Sequence, residues 1–189
     1  MQIKNELRKK FKELRKNLND KENKDFRICK SFLNSALYKN SNQLLCYSAV
    51  NGEICTDIII ENALKDNKKV GLPVCEDSNG NMNFYYISSL DDVVIGTFGI
   101  KEPNIFKCKK VQNFDNAVCI VPALTYDYYG YRLGYGKGYY DRFFEKTPLI
   151  SVGLCYNDFL SSKLPHDIYD KKVTYIYTED RIIDIERRI

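Results

Sequence analysis

The chain has 189 residues, of which 44% are hydrophobic and 29% charged, and a formal net charge of +4. That length suits one domain with its own core over residues 1–189, and ten Gly and five Pro exclude a collagenous or low-complexity chain. No apolar run reaches the ~20 residues of a membrane span, and the opening MQIKNELRKKFKELRK has no secretory apolar stretch, so a cytoplasmic protein with no membrane partner is expected.

The charge is concentrated at the start. Residues 1–16 hold seven Lys or Arg against two Glu, a net +5, which leaves −1 for the rest. Ile3, Leu7, Phe11, Leu14 and Leu18 recur at helical spacing, which predicts an amphipathic helix with a docked apolar stripe and basic flanks. Its cations either stay solvated, meet a nucleic-acid backbone, or lean over an anionic small molecule. Lys4 and Arg8, four apart, sit side by side for the last of these.

A second helix is expected from Asp20 to Lys39, with Phe26, Cys29, Phe32, Leu33, Ala36 and Leu37 as its apolar positions. Leu44–Val50 reads as a buried strand broken by Asn51-Gly52. Thr56 caps a helix through Ile58, Ile59, Ala63 and Leu64. Lys69–Cys75 is the next strand, residues 77–81 a turn, and Met82–Ser88 a strand. Asp91–Lys110 reads as loops with short extended pieces. Ala117–Val121 is a buried strand, Tyr139–Glu145 a helix, Leu149–Leu154 a strand, Asn157–Leu164 a helix or loop, and Val173–Thr178 a last strand before an exposed, charged tail. Alternating strands and helices predict an α/β fold: a single domain with a largely parallel central sheet flanked by helices, plus the amino-terminal basic helix. Ligands of such sheets bind beyond the carboxyl ends of strands, which directs attention to the loops after Val50 and Val121.

Cys29, Cys46, Cys55, Cys75, Cys108, Cys119 and Cys155 are odd in number, form no C-x-x-C and lie mostly in apolar segments, as small buried hydrophobes do. The single histidine, His166, argues against a Cys/His zinc site or a histidine-based triad.

The most informative segment is Gly130-Tyr-Arg-Leu-Gly-Tyr-Gly-Lys-Gly-Tyr-Tyr-Asp141. Gly134, Gly136 and Gly138 alternate with Lys137 among them, and a helix begins behind. Glycines let the backbone approach a ligand, successive N–H groups form an anion-binding nest, and the helix adds its positive end. The spacing is neither G-x-x-x-x-G-K-[ST] nor G-x-G-x-x-G. Arg132 and Lys137 weigh against a purely structural turn. Asp141 beside a phosphate cradle points to Mg²⁺ held by carboxylates and phosphate oxygens, or else to a helix cap or a pair with Arg142.

Val121-Pro122-Ala123-Leu124-Thr125-Tyr126-Asp127 followed by Gly130-x-Arg132-Leu133-Gly134-x-Gly136-x-Gly138-Tyr139-Tyr140-Asp141-Arg142 closely resembles the signature of the 5-formyltetrahydrofolate cyclo-ligase (methenyltetrahydrofolate synthetase) family. Lys4 with Leu7-Arg8, Glu53-Ile54-x-Thr56, Gly99-Ile100-x-Glu102-Pro103 and Asp170-x-x-Val173-x-x-Ile176-x-Thr178-Glu179 agree in order, so the resemblance covers nearly the whole chain. The chain departs from it at Ala123, where Gly is usual, at Tyr169, where His is common, and at Val50-Asn51-Gly52 in place of Phe-Gly-Ser.

The resemblance implies conversion of 5-formyltetrahydrofolate and ATP to 5,10-methenyltetrahydrofolate, ADP and phosphate. ATP is the co-substrate and Mg²⁺ the cofactor, in a monomer with no nucleic-acid partner. It implies ATP contacts from Lys4, Asn5, Glu6, Leu7 and Arg8 and from Arg132, Leu133, Gly134, Tyr135, Gly136, Lys137, Gly138, Tyr139 and Tyr140. Lys137 and Arg132 would be catalytic, Ser48, Glu53 and Tyr139 would meet the folate, and Asp141 and Asp170 would hold the metal. Tyr140 is equally suited to the core. On the residues alone, a sugar-phosphate isomerase or CoA-transferase relative, or a nucleic-acid module built on the basic helix, stays open.

Overall fold

The computed structural model describes residues 2–77, 80–96 and 99–187. The first helix, α1 (Gln2–Lys16), buries Phe11 and Arg15, while Ile3 and Leu14 are exposed. Of the expected five-residue apolar stripe, Leu7, Phe11 and Leu18 dock on the core, whereas Ile3 and Leu14 do not. At about 100° per residue, Lys4, Arg8 and Arg15 fall within roughly 40° of one another around the helix, with Phe11 beside them. The inward face interleaves cations with apolar side chains, because it packs over polar loops as well as over core.

The second expected helix is two: α2 (Lys21–Leu33) and α3 (Ala36–Asn40). The break falls at Asn34-Ser35, where the Ser35 hydroxyl accepts from the Tyr38 N–H and starts α3 afresh. α2 turns Ile28, Cys29 and Phe32 inward, and Phe26 is exposed.

β1 is short (Gln43–Leu45); the Cys46 N–H still bonds the Gly71 carbonyl of the next strand at 2.9 Å, but residues 46–50, expected to continue the strand, are not part of it. α4 (Asp57–Lys65) begins after Thr56, whose hydroxyl donates to the Tyr47 carbonyl at 2.6 Å rather than capping the helix. β2 (Lys69–Cys75) and β3 (Met82–Ile87) pair antiparallel, and the turn expected at 77–81 includes Ser78 and Asn79, which lie outside the described residues. β4 (Val93–Ile95) and β5 (Lys101–Pro103) make a small hairpin. β6 (Ala117–Val121) is buried along its whole length. β7 (Thr125–Tyr126) and β8 (Arg132–Leu133) form a second hairpin, followed by α5 (Tyr139–Lys146), β9 (Ile150–Leu154) and β10 (Tyr175–Tyr177). The charged tail is mostly exposed, as expected, but it also carries β11 (Ile182–Asp184), which closes the sheet edge with Ile183 buried.

The central sheet runs β11-β10-β9-β6-β1-β2-β3. Its five inner strands are parallel and only β3 and β11 are antiparallel. The chain goes from β1 to β2 on one side and later returns to β6 on the other. This reversal of strand order opens a crevice between the carboxyl ends of β1 and β6, where α/β sheets take their ligands. The seven cysteines are all unpaired, and burial pushes the thiols of Cys46 and Cys155 up to about 12, so these two stay protonated and inert.

One buried carboxylate fixes the loop after β1. Asp25 of α2 accepts from the Tyr156 hydroxyl at 2.6 Å, from the Cys55 N–H at 3.0 Å and from Lys21 at 2.5 Å. Asp25→Ala leaves three donors without their acceptor, which costs about 3 kcal/mol. The expected drop in Tm is roughly 10 °C for a chain of this size, read by thermal unfolding.

Candidate active site

The loop after β6 is built first by Asp127, which is fully buried. Its carboxylate accepts from the N–H groups of Tyr129, Tyr131 and Leu164, all between 2.8 and 2.9 Å. These bonds shape the β7–β8 hairpin and leave the Gly134–Gly138 stretch suspended from it beside α1. Two of its glycines are needed for their backbones: Gly136 (φ +99°) and Gly138 (φ +69°) lie in the left-handed region. A Cβ on Gly136 would also stand 3.2 Å from the Arg8 guanidinium carbon, so the Arg8 fork lies directly on the glycine backbone.

α1 reaches this loop at several points. Arg8 Nε donates to the Gly134 carbonyl at 2.9 Å and Nη1 to Asn5 Oδ1 at 2.7 Å. Lys4 Nζ donates to Asp170 Oδ2 at 2.7 Å and lies 3.7 Å from Asp167 Oδ2. The Lys12 ammonium stands 5.9 Å from the Tyr135 ring centre. Arg15 donates from Nη2 to the carbonyls of Ala123 and Leu124 and from Nη1 to the Tyr135 hydroxyl at 3.3 Å. Leu7 packs on the core, whereas Glu6 is exposed and accepts from Gln2.

Arg132, only 6% exposed at its side chain, donates from Nη2 to Asp141 Oδ1 at 2.6 Å and from Nη1 to the Lys171 carbonyl at 2.7 Å. The Lys171 N–H donates to the same Asp141 oxygen at 3.0 Å. Asp141 therefore pairs with Arg132, not with Arg142. Arg142 instead donates to the carbonyls of Lys137 and Gly80. Asp141 and Asp170, 29 positions apart, line one cavity of about 240 Å³ with Gly138, Arg142, Asp167 and Tyr169. Asp141 Oδ2 and Asp170 Oδ1 have no partner among the described residues. Lys137 is exposed, and only its backbone carbonyl, bonded by Arg142, is engaged.

The loop after β1 carries residues expected to meet the folate. Glu53 is 5% exposed, and its Oε2 accepts from the Val50 N–H at 2.9 Å. Burial pushes its carboxyl up, against the pull of that N–H, the Tyr135 hydroxyl and the Arg15 charge. Ser48 is half-buried nearby in sequence. The Tyr139 hydroxyl donates to the Asp77 carbonyl at 3.0 Å. Tyr140 packs its ring against Phe84 and Phe144, and its hydroxyl is buried without a partner among the described residues. His166 stacks on Tyr131 at 3.7 Å and takes no part. A larger cavity of about 590 Å³ lies at the other end of the strands, between Leu37, Phe114 and Leu149.

Residues 1–179 match the model of the 5-formyltetrahydrofolate cyclo-ligase family. The chain belongs to that family. Among its relatives, the 5-formyltetrahydrofolate cyclo-ligase of Saccharomyces cerevisiae is 30% identical over 167 residues, 75% of this chain and 77% of the yeast protein. The probable 5-formyltetrahydrofolate cyclo-ligase of Schizosaccharomyces pombe is 27% identical over 172 residues, 82% of this chain and 84% of that one. The solution structure of the Aquifex aeolicus 5,10-methenyltetrahydrofolate synthetase superposes with a TM-score of 0.85 at 30% identity, covering 97% of this chain and 93% of that one. As a cyclo-ligase-family chain, this protein carries its glycine loop, first helix and Asp141–Asp170 cavity on one end of one sheet.

From the sequence, Arg15 and Asp127 had no part of their own, and Arg142 only a pairing with Asp141. For Arg15 a signal existed: it lies seven residues beyond Arg8, on the same helix face. Asp127 carried none beyond its place in the motif.

Proposed function

We propose that the protein converts 5-formyltetrahydrofolate to 5,10-methenyltetrahydrofolate at the expense of ATP, in a cytoplasmic setting and as a monomer. The observation that carries the reading is the convergence of α1 on the glycine loop: Arg8 lies on Gly136 while Lys4 reaches Asp170. Family membership supports the same chemistry. An isomerase has no use for two separate cationic elements and paired carboxylates at one cavity. The nucleic-acid alternative loses support because Lys4, Arg8 and Arg15 turn inward.

The formyl oxygen of the substrate is a poor leaving group. In the proposed route it attacks the γ-phosphorus of ATP, the bond to the bridging oxygen breaks, and ADP departs. The neighbouring amine nitrogen of the folate then attacks the activated carbon, its proton passes to solvent or to the departing phosphate, and the ring closes as the carbon–oxygen bond breaks and phosphate leaves. Such transfers ask the protein mainly for positioning and for charge opposite the phosphoryl oxygens. Lys137 and the loop N–H groups supply the latter, with Arg8 and Lys4 on the helix side. Arg132 was expected to contact phosphate itself, but with both terminal nitrogens committed its charge acts through Asp141.

Mg²⁺ fits the donors present: Asp141 and Asp170 are hard oxygen ligands on one cavity, each with an oxygen free of partners among the described residues. Among those residues no three carboxylate, His or Cys groups form a metal cage, so phosphate oxygens and water would complete the shell. Once bound, the ion would neutralise charge on the triphosphate. Asp141→Asn is expected to raise the Mg²⁺ concentration needed for half-maximal turnover severalfold, because one anionic ligand is lost; an unchanged metal titration contradicts the assignment. Glu53, with Ser48 and Tyr139, is proposed to meet the folate.

The direct test is growth of methenyltetrahydrofolate absorbance from 5-formyltetrahydrofolate, with ATP and Mg²⁺ supplied together or singly omitted. The reading requires product only in the complete mixture.

A further inference from the structure

Asp141 and Asp170 each have a cation beside them, and the two cations are held differently. Arg132 bonds Asp141 Oδ1 at 2.6 Å with one terminal nitrogen and the Lys171 carbonyl at 2.7 Å with the other, and its side chain is 6% exposed. A planar fork tied at both tips stays where it is. Lys4 bonds Asp170 Oδ2 at 2.7 Å, lies 3.7 Å from Asp167 Oδ2, and its side chain is 25% exposed. Its ammonium bonds no backbone carbonyl among the described residues. A compact charge on a flexible stem can exchange one oxygen partner for another.

The two cations also differ in origin. Arg132 and Asp141 belong to one loop and the helix behind it, whereas Lys4 reaches Asp170 from α1, 166 positions away. α1 is docked without Lys4, through buried Phe11, through Arg8 on the Gly134 carbonyl and through Arg15 on the Ala123 and Leu124 carbonyls. Lys4 is therefore free to leave Asp170 while the helix stays in place.

The charges of the cavity are close to balance. Asp141 with Arg132, and Asp170 with Lys4, are neutral pairs. Arg142 and Glu145 on the α5 wall are opposite in sign, and Asp167, the remaining carboxylate of the lining, is 60% exposed and screened by water. A bare divalent cation would meet no net attraction here and two cations at close range. A polyphosphate brings the missing negative charge and gives Lys4 another partner.

We propose that Lys4 is an exchangeable counter-ion: it neutralises Asp170 until a nucleotide arrives, then moves to the phosphate oxygens and frees Asp170 for the metal. Divalent ion and nucleotide then bind as one coupled unit, and Lys4 is the residue that couples them. The inference rests on the reading that Asp141 and Asp170 hold the metal.

The test needs no turnover. Mn²⁺, which takes the same hard oxygen ligands, is titrated into the protein alone and with a saturating non-hydrolysable ATP analogue, and bound ion is read by electron paramagnetic resonance. Lys4→Met and Lys4→Gln are each expected to bind Mn²⁺ alone about tenfold more tightly than the unaltered protein. Gln keeps a donor for Asp170, so a gain common to both comes from the lost charge. Lys4→Arg keeps the charge and should bind Mn²⁺ alone as weakly as the unaltered protein. The tightening of Mn²⁺ binding by the ATP analogue should be about tenfold smaller in Lys4→Met, because the coupling is lost.

If Lys4→Met and Lys4→Gln bind Mn²⁺ alone no more tightly than the unaltered protein, while Asp170→Asn weakens Mn²⁺ binding in the presence of the analogue, the metal site stands and the counter-ion role is wrong. If Asp141→Asn and Asp170→Asn both leave that binding unchanged, the two carboxylates do not hold the metal and the inference falls with that reading.

Discussion

Replacing Arg132 by Gln is expected to lower turnover about a hundredfold or more. The guanidinium is nearly inaccessible and holds two things at once, Asp141 Oδ1 at 2.6 Å and the Lys171 carbonyl at 2.7 Å. Both fix the end of the cavity that Asp141 and Asp170 share. Gln cannot span both, and Asp141 would be left with the Lys171 N–H alone. Arg132→Lys is the informative companion, because it returns the charge without the planar fork. Partial recovery of kcat in that variant, at an unchanged Tm, shows that the geometry of the pair matters as well as its charge. Near-normal kcat in Arg132→Gln would remove the residue from the account.

Lys137→Ala is expected to lower kcat at least about tenfold while leaving the fold intact. The two halves of this residue are in different situations. Its carbonyl is held by Arg142, so the loop backbone does not depend on the side chain. Its ammonium is exposed, at the tip of a turn whose glycines present N–H groups. A cation placed so contributes little to stability, and its effect should show in the chemical step. An unaltered unfolding curve together with a fall in kcat is the expected pair of results. Wild-type turnover would refute the role.

Much of the fold was legible because its inner strands are continuous apolar runs bounded by turn residues. Lys69–Cys75 and Ala117–Val121 were read with the bounds they have. Leu44–Val50 was overextended for a physical reason: apolar composition reports burial, not ladder pairing. Cys46 and Tyr47 are as buried as β1 itself although the strand ends at Leu45. β11 went unread because three residues in a charged tail carry too little alternation. The glycine loop was legible in its wording. The inward face of α1 was legible only in part: Lys4 and Arg8 were read as a pair turned to one site, but Arg15 was not, because a cation on an amphipathic helix is by default assigned to water. Pairings such as Lys4 with Asp170, 166 residues apart, are tertiary facts that no local pattern carries.

The most direct measurement is a crystal structure with 5-formyltetrahydrofolate, Mg²⁺ and a non-hydrolysable ATP analogue. The account predicts the triphosphate within the turn from Arg132 to Asp141, under Arg8 and Lys137, with its last phosphate facing the formyl oxygen. A nucleotide seated elsewhere, such as the cavity between Leu37, Phe114 and Leu149, with that turn empty, would contradict it.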